Sequence, residues 1–220
     1  MFDRQSLPRI VPFAIYMAFI FIADMLGRLG WQAQELRWLY AVKIGAVLAA
    51  LLYYRRSYSE LARPALPLRG WLLAVAAGVL VLVLWLNLDA GWMQVGQSAG
   101  FDPRNDGALD WPLVLVRLAG AALVVPVMEE LFWRSFLMRW IADANFLQFP
   151  PARVTIRGFI VTVILFGFEH NLWLAGIVAG AVYSLLYMRS NTLWSPVLAH
   201  GVTNGLLGCW IISTGQWTYW

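Results

Sequence analysis

The chain has 220 residues, of which 61% are hydrophobic and only 13% charged, with a mean hydropathy of +0.66. A soluble domain of this size keeps roughly a quarter of its residues charged to cover its surface. The composition therefore excludes a soluble enzyme, a disordered tail and a small disulfide scaffold, and leaves a polytopic membrane protein. Thirteen Trp, twelve Phe and eight Tyr suit a chain that crosses two membrane–water interfaces. The net charge of +4 does not mark a nucleic-acid binder, because the sixteen basic residues, all Arg except Lys43, stand singly or in pairs between apolar runs.

Taken in chain order, apolar segments lie near 10–26, 36–54, 70–90, 112–128, 158–169, 172–188 and 192–213. Their lengths predict an all-α bundle of about seven to eight transmembrane helices. No internal repeat or low-complexity linker divides it, so residues 1–220 read as a single membrane domain. Within it, 1–111 supply supporting helices and 112–213 a catalytic core. Arg4 and Arg9 precede the first segment, but no small-residue cleavage site follows, so it reads as an uncleaved span.

Loop charges set the orientation. Arg55, Arg56, Arg63 and Arg69 face one Glu60 in the loop at 55–69, whereas Asp89, Asp102, Asp106 and Asp110 face one Arg104 in the loop at 89–111. The positive-inside bias places the first loop, and the N-terminus, in the cytoplasm, and the second loop outside. The segment 158–169 is the anomaly. Twelve residues make roughly 18 Å of helix, short of a hydrocarbon core about 30 Å thick. Its far end, Phe166-Gly167-Phe168-Glu169-His170, is then expected to stop inside the membrane, where polar groups need protein or a water-filled cavity around them.

Ionisable residues within apolar segments suggest function by default. Glu129 and Glu130 follow Pro126, with Arg134 four residues after Glu130. His170 stands four residues after Phe166, and His200 and Asn204 share one helical face. Counting back from Arg139, Thr192 and Arg157 at 1.5 Å per residue puts Glu129, His200 and His170 about 12–20 Å deep. That is one layer, nearer the cytoplasmic side. A buried Glu beside an imidazole can take a proton from water. A second His and an amide can donate to the oxyanion formed when water attacks a carbonyl. Arg134 can hold one carboxylate while the other acts as base. Glu129, His170 and His200 could equally bind Zn²⁺ with a water in the fourth position, and the residue types alone leave both options open.

Glu129-Glu130-x-x-x-Arg134, Phe166-x-x-x-His170 and His200-x-x-x-Asn204, in that order over roughly 112–210, resemble the CPBP family, which joins CAAX proteases and bacteriocin-processing enzymes. The resemblance implies an intramembrane endopeptidase of a bacterial inner membrane acting on a membrane-associated or lipidated protein near the cytoplasmic face. It implies that Glu129 and His170 activate water, that His200 and Asn204 are oxyanion donors, and that Glu130, Arg134 and Phe166 support them. The family has been regarded both as metal-dependent and as using glutamate without metal. Ser135 stands where many relatives have Gly after the motif arginine. Size and the Trp-rich tail are similar to a bacterial subgroup associated with exosortase systems.

Two rivals use the same residues: a transporter or proton relay, and a non-catalytic assembly or immunity factor that keeps the motifs for packing. Other polar residues have ordinary explanations. Asp24 and Arg28 can pair at i, i+4, Lys43 can snorkel or face the bundle interior, and Arg117 is expected to snorkel at the outer end of its span. Cys209 reads as a small buried apolar residue. Pro103 and the missing terminal Glu argue against a calcium loop at 102–110. No Gly-rich phosphate loop suggests a nucleotide.

Overall fold

Each apolar segment of the sequence forms a helix. A computed structural model describes residues 5–62, 66–96, 98 and 100–220, and seven principal helices run through them. These are α1 (Leu7–Arg28), α2 (Leu39–Tyr53), α3 (Leu68–Trp85), α4 (Trp111–Trp140), α5 (Ile156–Phe168), α6 (Trp173–Ser190) and α7 (Trp194–Thr214). Helices α1, α3, α4 and α7 are long and apolar enough to cross a membrane, and α2 and α5 are shorter apolar helices. Large side chains such as Phe21, Leu72, Leu123, Ile156 and Phe168 point out of the bundle. Exposed apolar surface on this scale fits acyl chains rather than water. The chain is a multi-pass α-helical membrane protein.

Contacts between loops sort the bundle into two ends. At one, Arg9 at the start of α1 meets Glu60 between α2 and α3, and Arg139 at the close of α4 meets the same carboxylate. We call this the arginine-rich end. At the other, Arg37 between α1 and α2 pairs with Asp110, Trp173 donates to the carbonyl of Trp92, and Tyr219 after α7 donates to Asp89. A small hairpin marks this second end: β1 (Arg104–Asn105) pairs antiparallel with β2 (Ala108–Leu109). Its turn residues Asp106 and Gly107 have φ of 49° and 82°, the left-handed pair that Asp-Gly supplies most readily. The stretch weighed as a calcium loop is this hairpin.

Small residues bring the core helices together. On α3, a Cβ at Gly78 would collide with the Ala199 carbonyl of α7. Thr203 of α7 uses the same close approach, its hydroxyl lying 2.9 Å from the Gly78 carbonyl. Gly176 of α6 faces Gly167 of α5, where an added Cβ would come within 3.0 Å of the Gly167 Cα.

Helix α4 departs most from its sequence reading. The apolar run ends at 128, yet the helix continues to Trp140, because Glu130, Arg134 and Arg139 beyond it are buried and paired inside the protein. Two wide turns with i→i+5 bonding, Gly120–Val124 and Leu131–Leu137, flank Glu129 and Glu130. Such π-type turns recur at functional sites.

Two surface expectations are corrected. Cys209 is exposed on the outer face of α7. Arg117 does not snorkel outward; its guanidinium lies 4.7 Å from the ring centroid of Tyr40 and 4.5 Å from that of Phe101.

Candidate active site

The three motifs meet. Glu129 of α4, Phe166 of α5, His170 just beyond the end of α5, and His200 and Asn204 of α7 line one cavity of about 260 Å³, with Tyr183 of α6 in its wall. Glu130 and Arg134 stand directly behind it, both completely buried and joined by a 3.0 Å ion pair. One turn of helix separates them, so their side chains meet on one face. Arg134 also donates to the Gly180 carbonyl at 3.3 Å and lies 4.2 Å from the centroid of Phe166. The motif phenylalanine is thus a packing surface for the motif arginine.

Each imidazole is oriented through Nδ1. His170 Nδ1 lies 2.8 Å from the Phe166 carbonyl, one turn earlier. A carbonyl can only accept, so Nδ1 carries the proton and Nε2 is left as an acceptor. Phe166 and Trp85 hold the ring from two sides, with centroids 4.8 and 5.3 Å away. His200 Nδ1 lies 3.0 Å from Glu130 Oε1, the oxygen that also receives Arg134. Its Nε2 faces Glu129 Oε2 at 4.0 Å. Tyr183 stacks on the His200 ring at 4.9 Å and donates its hydroxyl to Thr203 at 2.8 Å. Arg134 is therefore committed to Glu130, and Glu129 Oε2 is buried without a hydrogen-bond partner. A buried acceptor in that state is costly unless water or substrate meets it.

Asn204 has a local reason for its place. In the first wide turn, the Val125 N–H reaches the Gly120 carbonyl. The next bond in that register would run from residue 126 to Ala121, but Pro126 has no N–H. Asn204 Nδ2 donates to the Ala121 carbonyl instead, at 2.9 Å. One amide hydrogen is thereby used and the other is free.

The cavity opens toward the hairpin end. A second cavity of about 450 Å³ adjoins it, sharing Trp85, His170, Tyr219 and Trp220 and reaching Gln94 and Ser98. Tyr219 lies across this opening, its hydroxyl pushed up to about 12 by burial and by the acceptor carboxylate of Asp89. At the arginine-rich end the way is closed. Arg9, Glu60, Ser135 and Arg139 interlock: Arg9 holds both oxygens of Glu60 at 2.8 and 2.6 Å, Ser135 donates to Glu60, and Arg139 donates to the Ser135 hydroxyl at 2.8 Å. Burial pushes the Glu60 carboxyl up, but the bonds and charge of Arg9, with the Ser135 hydroxyl, outweigh it and hold it below its ordinary 4.5. The serine that replaces the common glycine is thus a working member of this plug.

Among the described residues, no three His, Cys, Asp or Glu side chains converge as ligands of one ion. Of the residues weighed as zinc ligands, His200 turns Nδ1 to Glu130 and keeps Nε2 4.0 Å from Glu129 Oε2. Sequence reasoning missed two contributors. Glu169 accepts from Trp133 Nε1 at 3.0 Å and ties the end of α5 to α4; its only signal was adjacency to His170. Tyr183 gave none, lying in an uninterrupted apolar run.

The fold and site define a polytopic membrane protein with an acid–imidazole–amide centre inside its bundle. The family model for type II CAAX prenyl endopeptidase Rce1-like proteins matches residues 111–206, a segment that includes every motif residue above. This segment, a little under half of the chain, is similar to that family. An undecaprenyl-diphosphatase of Marinobacter nauticus is 27% identical over 218 residues, covering 86% of this chain and 81% of that protein. No solved structure matches.

Proposed function

We propose that the chain is an intramembrane endopeptidase that hydrolyses a peptide bond with a water activated between Glu129 and His170. The observation that carries this reading is Glu129, one of whose carboxylate oxygens has no hydrogen-bond partner, on the wall of a cavity also lined by both imidazoles and Asn204. A water there gives a proton to Glu129, oriented by the lone pair of His170 Nε2. Its oxygen adds to the scissile carbonyl carbon. The resulting oxyanion receives the second amide hydrogen of Asn204. His200 donates from Nε2 when both its ring nitrogens carry protons, Nδ1 being occupied by Glu130. The C–N bond then breaks, and Glu129 returns the proton to the departing amine. No step here is routed through a metal.

The substrate is a membrane-associated or lipidated protein segment, and it descends to Glu129 from the hairpin end. The arginine-rich end with its N-terminus lies in the cytoplasm of a bacterial plasma membrane. Glu129→Gln keeps size and hydrogen bonding but removes the base. Peptidase activity of the purified, reconstituted protein should fall by about 10²–10⁴-fold with the melting temperature unchanged. Undiminished cleavage by this variant sinks the assignment.

A second reading, hydrolysis of a lipid diphosphate, is favoured by the name of the Marinobacter nauticus relative, which aligns across most of the chain. It predicts phosphate release from farnesyl diphosphate by the wild-type protein, and no cleavage of lipidated peptides.

A further inference from the structure

His170 is the one motif residue that no helix carries. Helix α5 ends at Phe168 and α6 starts at Trp173, so the imidazole hangs from the link 169–172. The end of α5 has no local stop. Glu169, its C-cap, keeps right-handed angles, with φ −69° and ψ −21°, and lacks the left-handed glycine that commonly turns a chain out of a helix. The bond from Nδ1 to the Phe166 carbonyl closes on the same helix end. It sets the tautomer but moves with the link. The aim of Nε2 therefore depends on how the link is held.

The two residues that flank His170 tie the link to different parts of the bundle. On one side, Glu169 Oε2 accepts from Trp133 Nε1 at 3.0 Å. Trp133 is buried on α4, one turn past Glu129, and meets Phe166 edge-on with centroids 5.9 Å apart. On the other side, Asn171 takes both backbone groups of Val95 in the loop after α3. Its carbonyl accepts the Val95 N–H at 2.8 Å, and its side-chain Nδ2 donates to the Val95 carbonyl. A reciprocal pair between residues 76 apart in sequence is a clamp between elements, not a turn. Trp173 adds a bond from Nε1 to the Trp92 carbonyl of the same loop, at 3.2 Å. Neither Glu169 nor Asn171 is on the wall of the catalytic cavity, so their part is to hold rather than to react. We propose that Glu169 and Asn171 are positioning residues, one pinning His170 to α4 and the other to the loop after α3, so that Nε2 points at the water beside Glu129. The inference rests on the endopeptidase reading and extends it. The loop that carries Val95 also carries Gln94, on the wall of the second cavity, so the entry and the aim of the imidazole share a support. A displacement of about 1 Å at a reacting group can cost about 10²-fold in rate, far more than the loss of one hydrogen bond disturbs a packed bundle.

The test uses the full chain in lipid nanodiscs, with an internally quenched decapeptide carrying S-farnesyl cysteine as the probe. Asn171→Ala and Glu169→Ala should each lower kcat by about 10–100-fold, with KM within about twofold of wild type. Glu169→Gln keeps an acceptor for Trp133 and should recover most of what Glu169→Ala loses. Imidazole nitrogen NMR of isotope-labelled protein supplies a reading that needs no turnover. The chain has only two histidines, and His200→Gln assigns them. Wild-type His170 should show a single tautomer, protonated at Nδ1, and each Ala variant should add a second His170 signal while that of His200 stays in place. Unchanged kcat in both Ala variants, an equal loss in Glu169→Gln and Glu169→Ala, or a raised KM with kcat intact overturns the proposal. So does a His170 signal that the Ala variants leave unaltered, or one that changes together with that of His200, the mark of a general loosening. The two levels stay distinct. Peptide cleavage indifferent to both Ala variants removes the tethers and leaves the protease standing. Wild-type protein that cleaves no peptide removes the endopeptidase reading, and the imidazole signals then judge the tethers by themselves.

Discussion

The two halves of α4 treat charge in opposite ways. Beyond Glu129, each ionised group is ion-paired within the protein: Glu130 and Arg134, both fully buried, pair with each other, although Glu130 Oε2 and Arg134 Nε keep no hydrogen-bond partner, and the nearly buried Arg139 shares Glu60 with the buried Arg9. Before Glu130, Glu129 keeps an oxygen without a partner and Arg117 has ring faces where a counter-ion could be. Both halves carry groups that are costly in a membrane, but only beyond Glu129 does each have an oppositely charged partner. Ion-paired charges make a plug that fixes the helix; those with no charge partner line a cavity that substrate can fill. On this view a substitution in the plug costs stability, with activity following the folded fraction, whereas a substitution on the open side costs activity alone.

Arg134→Met should have the largest effect on stability. It leaves Glu130 buried beside His200 without its cation, a change that typically costs about 3–5 kcal/mol. Denaturant titration in detergent micelles checks the figure. A variant of wild-type stability that is nonetheless inactive would move Arg134 from the plug to the chemistry and break the division.

Glu60→Gln should cost less, about 1.5–3 kcal/mol, the range for hydrogen bonds to a charged group. The same group sets a pH dependence. Its carboxyl is held below 4.5 in the folded protein, so its contribution is complete above that value and is lost as pH falls through the lower folded value. Melting temperatures should decline on acidification below about pH 4.5, and part of that decline should be missing in Glu60→Gln. Identical acid profiles for the two proteins would show that the plug does not act through Glu60.

The division also explains what the letters revealed. Spans with uniform composition were legible to within a few residues: α5, read at 158–169, is Ile156–Phe168, and α7, read at 192–213, is Trp194–Thr214. The end of α4 was not, because hydropathy scores Glu130, Arg134 and Arg139 as exposed charges. The Glu130–Arg134 pair was announced by its i, i+4 spacing, but Glu60, the partner of Arg139, comes from a distant loop and no local pattern announces it. The motif residues declared themselves as polar groups in apolar runs, and the cavity does bring them together. The direction of the opening stayed hidden because it depends on Gln94, Tyr219 and Trp220, which look like ordinary loop and tail residues. Arg117 resembled an interfacial snorkelling arginine, and only Tyr40 and Phe101 turn it inward.

Asn204 belongs to both halves of this scheme and therefore sharpens it most. Through Ala121 it repairs the backbone gap left by Pro126, an architectural task; through its second amide hydrogen it faces the cavity. Asn204→Ala removes both. As a repair alone, its loss should cost about 1 kcal/mol of stability, with kcat of the remaining folded enzyme unchanged. As an oxyanion donor, its loss should lower kcat by about 10²–10³-fold, far beyond what that stability change can produce. Asn204→Asp separates the tasks again. A carboxylate can neither donate to the Ala121 carbonyl nor welcome an oxyanion, so it should be worse than Ala in kcat and in stability. Should Asp instead restore turnover relative to Ala, the side chain would be acting on water as an acceptor, and the oxyanion would have to be left to His200.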